Sequence, residues 1–140
     1  METKKKPQGQ AKGKDVLFAS LKEKRSQLAL GGGQDRIEAQ HAKGKLTARE
    51  RVEKFVDPGS FQEIQPFMIH RHTEYGMDKA RFYGDGMVAG FAKVNGRRVC
   101  LYAQDFTVMG GSFSEVAGIK LANLMDMAMQ AGVPVIGLSD

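Results

Sequence analysis

The run GMVAGFAKVNGRRVCLYAQDF constrains this chain more than any other stretch. Two strand-like segments flank Asn95-Gly96, the dipeptide that favours positive φ at both centres of a type I′ turn. A two-residue loop pairs Val94 with Arg97 and Ala92 with Val99. The spacing therefore predicts an antiparallel hairpin of Met87–Val94 with Arg97–Asp105, and everything downstream must be built outward from it.

The second strand runs into AQDFTVMGGSFSE. Ser112 and Glu115 have capping-box spacing, so a helix is expected from an N-cap at Ser112 to about Ala131. Ala117, Leu121, Leu124, Ala128 and Ala131 form its buried face, and Gly132 stops it. VPVIGL follows, a short apolar run of the kind found in strands buried on both faces. Strand, helix, strand with a long crossover is a βαβ unit, which makes the class α/β. In such layers ligands sit beyond the carboxyl ends of the strands, here Gln104-Asp105 and Ser139-Asp140. With the sequence stopping at Asp140, Val133–Leu138 is expected to leave an open edge and the helix to cover one sheet face only. Such an edge favours self-association.

Upstream, residues 1–14 read as a disordered basic leader. Residues 15–30 read as a helix with Asp15 as N-cap and an apolar stripe of Val16, Leu17, Leu21 and Leu28. Gly31-Gly32-Gly33 ends it, and residues 31–140 form the following domain. A second helix is signalled by TARERVEKF, with a Thr47/Glu50 capping box, an apolar face of Val52, Phe55 and Val56, and Asp57-Pro58-Gly59 as its stop. SFQEIQPFMIHR suits one or two short strands, and TEYGMDKARFYGDG a loop.

The net charge of +5 does not indicate nucleic acid. Residues 1–30 hold eight Lys/Arg and three Asp/Glu, whereas residues 31–140 hold thirteen of each. The basicity thus sits in the leader, and no nucleic-acid module is present. One cysteine, Cys100, allows no internal disulfide. No run approaches the ~18 apolar residues of a membrane span, and the N-terminus lacks the apolar core of a secretory signal. A soluble intracellular protein is expected.

Gly110-Gly111-Ser112 can either present amides and a helix N-terminus to an anion or simply turn the chain, and the residues alone leave both open. His70, His72 and Glu74 are a weak metal cluster, with His70 and His72 expected on one side of a strand. Asp105 has no acid or nucleophile assigned beside it, and Cys100 is expected to be a packed small residue. Arg36, Lys43, Lys45, Arg49 and Arg51 surround a helix start. They suit either a solvated, internally paired face or a dock for the phosphates of a nucleotide-like ligand.

Four ordered motifs carry a resemblance: GGGQDRIEAQHAKGKLTARERVEKFVDPGSF, YGMDKARFYGDGMVAG, VNGRRV and AQDFTVMGGSFSE. Together they resemble the carboxyltransferase β subunits of biotin-dependent acyl-CoA carboxylases, the family of propionyl-CoA carboxylase β chains and methylmalonyl-CoA decarboxylase α chains. The similarity spans about residues 29 to 140 and the N-terminal portion of that family. It implies a crotonase-like fold, a spiral of ββα units, here incomplete at the C-terminus. It implies transfer of CO2 from carboxybiotin to the α-carbon of a short-chain acyl-CoA, propionyl-CoA or acetyl-CoA.

In the family, enolate-stabilising amides come from a Ser-Gly-Gly-Ala-Arg run after VIGLSD and from a later glycine-rich turn. Both lie beyond Asp140, so the resemblance assigns no catalytic residue and no metal here, and residues 1–140 alone are expected to bind acyl-CoA weakly and transfer nothing. The substrate-binding candidates are Gln104, Asp105, Gly110, Gly111, Ser112, Lys43, Lys45 and Arg49. The implied partners are acyl-CoA, a biotin carboxylase or biotin carboxyl carrier subunit bearing the biotin, and further copies in a homo-oligomer. Neither nucleic acid nor membrane is implied, and the location is the cytoplasm, or the mitochondrial matrix in a eukaryote. The alternatives are a subunit of a methylmalonyl-CoA decarboxylase or transcarboxylase, or a short non-catalytic assembly partner.

Overall fold

The computed structural model describes residues 9–140, with side chains from residue 13 onward. In chain order the elements are α1 (Gly9–Ala29), α2 (Gln34–Ala42), α3 (Ala48–Phe55), β1 (Gln62–Glu63), β2 (Met87–Val94), β3 (Arg97–Gln104), α4 (Glu115–Ala131) and β4 (Val135–Leu138). The four strands form one sheet in the order β1-β2-β3-β4. Among the described residues no helix is long and apolar enough to cross a membrane.

The hairpin has the expected register, with Val94 opposite Arg97 and Ala92 opposite Val99. Asn95 and Gly96 both have positive φ, 51° and 77°, as a type I′ turn requires. Asp57, just past α3, accepts from both turn amides, Asn95 N and Gly96 N, each at 2.8 Å. The end of α3 is thereby fixed to the tip of the hairpin.

Period-two alternation sends side chains to two cores. Val88, Ala92, Val99, Leu101 and Ala103 meet Ala48, Val52 and Val56 of the α3 segment. On the opposite face Met87, Ala89 and Cys100 meet Ala117, Leu124 and Ala128 of α4. Both faces of the sheet are therefore helix-covered, contrary to the expectation of one, because α3 folds back over the face that α4 leaves open. Cys100 is fully buried, a packed small residue as expected.

Several sequence expectations are corrected. Helix α1 begins at Gly9, inside the stretch expected to lack structure, because Ala and Lys there are good helix formers. Asp15 consequently lies within the helix and caps nothing; residues 1–8 lie outside the described residues. Val16 and Leu17 are exposed, and of the predicted stripe only Leu28 is buried. Phe55 is 40% exposed, leaving Val52 and Val56 as the buried residues of the predicted apolar face. Helix α2 lacks the apolar stripe that would have announced it. The 60–85 segment yields a two-residue strand, and a kinked 3₁₀ turn at Glu74–Lys79 within the predicted loop. The strand β4 is half-exposed rather than buried on both faces: it pairs in parallel with β3 on one edge only.

The N-cap of α4 is Ser114, not Ser112. Gly110 and Gly111 belong to a short 3₁₀ turn, Met109–Gly111, and Ser112 follows it in extended conformation. This turn uses up the two residues that would have let Ser112 reach the helix. Ser114 Oγ accepts from Ala117 N at 3.0 Å and donates to the Asp85 carboxylate. Ser114→Ala is therefore expected to lower stability by ~1 kcal/mol or more, whereas Ser112→Ala stays within ~0.5 kcal/mol. Urea denaturation midpoints of the two variants, measured side by side, check this.

Candidate functional site

The carboxyl ends of β3 and β4 lie side by side, Ala103 opposite Leu138. Carbonyls leaving the end of a parallel pair need donors, and one side chain supplies them. Arg51, on α3, donates from Nη2 to the Gln104 carbonyl at 2.6 Å. Its Nη1 donates to the Leu138 and Ser139 carbonyls at 3.3 and 3.0 Å. The planar fork of the guanidinium suits this multiple engagement. Beside it, Asp140 accepts from Gln40 Nε2 at 2.6 Å and from Lys45 Nζ at 2.9 Å. The Lys45 hydrogen bond is the main cause holding the Asp140 carboxyl below its usual range; partial burial opposes it and Gln40 adds to it.

The loop leaving β3 is fixed from within. Asp105, buried, accepts from Thr107 N at 3.0 Å and Thr107 Oγ1 at 2.6 Å. Thr107 Oγ1 in turn accepts from Gly32 N at 3.0 Å. A side chain at Gly32 would run into the Thr107 carbonyl, so the glycine triplet after α1 serves close packing as well as helix termination. Asp105 is thus a structural residue of the loop, and its Oδ1 is taken up by Thr107.

Two clefts flank this loop. The first, about 280 Å3, is lined by Arg36, Gln40 and Lys43 of the α2 segment and by Phe106, Thr107 and Gly110. Arg36 Nη1 donates to the Thr107 carbonyl at 3.4 Å, and Lys45 Nζ lies 5.7 Å from the Phe106 ring centroid, within cation–π range. Cations gathered around an exposed aromatic ring can hold an anionic group next to a flat one. The second cleft, about 190 Å3, includes His70, His72, Asp85, Met109, Ser112 and Ser114 in its lining.

The sequence candidates separate accordingly. Lys43 and Gly110 line the first cleft, Lys45 stands beside it, and Ser112 lines the second. The Gln104 carbonyl is occupied by Arg51. Gly111 lies in the loop between the clefts, lining neither. Arg49 is committed elsewhere, in a two-pronged pair with Glu63 at 2.8 and 3.1 Å. Among the described residues no three His, Cys, Asp or Glu side chains are placed to hold a metal. His70 and His72 are not on a strand, and His70 Nε2 is 2.8 Å from the Ala80 carbonyl oxygen. Gln40, Phe106 and Thr107 were missed from sequence, as was the clasp by Arg51. The usable signal was the spacing Arg36, Gln40, Lys43, i, i+4 and i+7 on one helix face.

Residues 39–140 match the family model for the carboxyl transferase domain. The propionyl-CoA carboxylase beta chain of Cereibacter sphaeroides is 54% identical over 127 residues, which is 91% of this chain and 25% of that protein. The mitochondrial propionyl-CoA carboxylase beta chain of Homo sapiens is 51% identical over 122 residues, 86% and 23% respectively. Among solved structures, a transcarboxylase 12S described as a hexamer assembly, with methylmalonyl-coenzyme A and methylmalonic acid bound, superposes with TM-score 0.83 at 43% identity. That match covers 88% of this chain and 24% of the other. The chain spans about a quarter of the length of the curated relatives it matches.

On α4, Lys120 is fully buried. Its Nζ donates to the Met87 carbonyl at 2.7 Å and lies 3.9 Å from Glu63. Burial is the main cause that pushes its pKa down from 10.5 to about 8, with Glu63 opposing. Between those values the unfolded chain holds a proton that the folded chain has released, so this lysine makes stability rise with pH from about 8 to 10.5. Below pH 8 the full cost of a buried charge is present. Lys120→Met is expected to flatten that rise, by on the order of 3 kcal/mol. Unfolding free energies of the two proteins across this window check it.

Proposed function

Because this chain belongs to the carboxyl transferase domain family, we propose that it is the first part of a biotin-dependent acyl-CoA carboxyltransferase β subunit, with residues 31–140 opening its N-terminal domain. In this reading the first cleft receives the nucleotide end of an acyl-CoA. The observation that carries it is that Arg36 and Lys43 line one cleft with the exposed Phe106 ring beside the carboxyl ends of β3 and β4, with Lys45, paired to Asp140, 5.7 Å from the ring centroid. Phosphates are matched by the cations and the adenine by the aromatic face.

A biotin group borne by a partner carrier would supply the CO2 for carboxylation of the thioester α-carbon, and the residues of this chain would hold the acyl-CoA for that transfer. Such a reaction leans on backbone amides aimed at the enolate oxygen. The part played by this segment is to bind and orient, with Arg51 fixing the carboxyl ends of β3 and β4. Propionyl-CoA is favoured as substrate by the 54% identity with a propionyl-CoA carboxylase beta chain. Transfer from methylmalonyl-CoA is the second reading, favoured by the likeness to transcarboxylase 12S. Assembly into a homo-oligomer, a biotin carboxylase partner, and a cytoplasmic or mitochondrial-matrix location belong to the same proposal.

The test is acyl-CoA affinity in the full-length polypeptide. Lys43→Glu and Arg36→Glu are each expected to weaken binding roughly tenfold, equivalent to about 1.4 kcal/mol, and to reduce its salt dependence. Arg49→Gln is expected to leave the affinity unchanged. Calorimetric titration with coenzyme A that shows full affinity in the Arg36/Lys43 double variant would overturn the assignment of this cleft.

A further inference from the structure

Helix α1 carries one line of apolar residues, Leu17, Leu21 and Leu28, at i, i+4 and i+11 on one side. Exposure climbs along that line from 8% at Leu28 to 37% at Leu21 and 71% at Leu17, and the neighbouring Phe18 is 69% exposed. The line starts against the body of the domain and runs off it: every residue from Gly13 to Gln27 is exposed. A helix of this length is marginal in water without a packed face, so this one needs a partner. Lys14, Lys24 and Arg25 border the apolar line, while Asp15 and Glu23 fall on the far side of the helix. Helix α4 has the reciprocal surface. Its inner side holds Ala117, Lys120, Leu124 and Ala128. Its outer side presents Ala122, Met125 and Met129, at i, i+3 and i+7, all exposed. A helix apolar on both sides is one that a larger assembly covers. The two carboxylates of α4, Glu115 and Asp126, are exposed beside this line, and its one cation, Lys120, is turned inward. Among the described residues none of these exposed charges on either helix is in an ion pair.

We propose that the outer side of α4 is the docking surface for α1 of a second copy of this chain. Leu17, Phe18 and Leu21 of one copy lie along Ala122, Met125 and Met129 of the other, and the cations bordering one line meet the carboxylates bordering the other. Charge selects this occupant. Helix α1 on another α1 sets Lys14, Lys24 and Arg25 against like charges, and α4 on another α4 sets carboxylate against carboxylate. Only the mixed pair is complementary. Within one copy the exposure of residues 13–27 rules out α1 lying on its own α4. Because the two surfaces differ, copies related by a two-fold axis make the contact twice. The inference rests on the proposed function only in giving a surface to the homo-oligomer named there.

The experiment is cross-linking of the full-length polypeptide carrying both Leu21→Cys and Met125→Cys, treated with a short bismaleimide beside each single variant. Both positions are exposed, so the fold is not at stake, and Cys100 is fully buried. Denaturing gels are expected to show covalent multimers from the double variant that neither single variant gives, with mass spectrometry identifying a link between positions 21 and 125. Adding Lys24→Glu and Arg25→Glu is expected to lower the yield of that link roughly tenfold, and adding Asp126→Lys to that variant to recover most of it. No link, a link confined to single chains, or a link that the reversal of Lys24 and Arg25 leaves intact overturns the proposal. Sedimentation of the same samples separates the two readings: an oligomer without the link sinks this contact and leaves the homo-oligomer standing, whereas a monomer sinks both. Coenzyme A affinity reads the first cleft independently of either.

Discussion

The guanidinium of Arg51 joins parts of the chain that are far apart in sequence. It reaches from α3 to the Gln104, Leu138 and Ser139 carbonyls, closing the carboxyl ends of a parallel strand pair that would otherwise need water or ligand to satisfy them. Parallel strands joined by a helical crossover have no tight turn to fix their relative ends. The clasp does that, and it also sets α3, the preceding Lys45 and the residues of α2 against the loop leaving β3. The first cleft exists because these three pieces are held at one corner.

That corner also explains why the same loop serves two purposes. Residues 105–114 turn back through Asp105 and Thr107, then through the Gly110-Gly111 pair, so successive side chains fall on opposite sides. One side meets the basic face of α2; the other meets the 70–85 segment, where His70 and Asp85 lie. The two clefts differ in charge because Arg36 and Lys43 line the first, whereas Arg71, Lys79 and Arg81 of the 70–85 segment are not in the lining of the second.

What the sequence disclosed was what local chemistry decides. Asn95-Gly96 settled a turn and hence a register, and the Thr47/Glu50 box settled a helix start. Four ordered motifs disclosed the family, which no single element could. The first cleft was half legible: the basic residues were visible, but which of them face a cleft and which are spent on Glu63 or Asp140 depends on tertiary contacts. Helix α2 escaped because its ordered face is polar, so hydrophobic periodicity had nothing to report. The N-cap of α4 was misplaced because Ser112 and Ser114 both follow the glycines, and only the 3₁₀ turn decides between them. Lys120 was invisible for a similar reason, since a lysine on a helix reads as solvent-facing until a carbonyl and a carboxylate are found beneath it.

Asp57 gives α3 a second anchorage. Its carboxylate holds both amides at the tip of the β2–β3 hairpin, while Arg51, six residues earlier, holds the opposite ends of the strands. The short helix therefore braces the sheet lengthwise, tied at both extremities by charged groups and pressed between them by Val52 and Val56. A brace of this kind removes the bending and sliding freedom of the two long strands together. Loosening either tie would be felt at the other, so the hairpin tip, remote from any cleft, has a mechanical hold on the shape of the ligand corner.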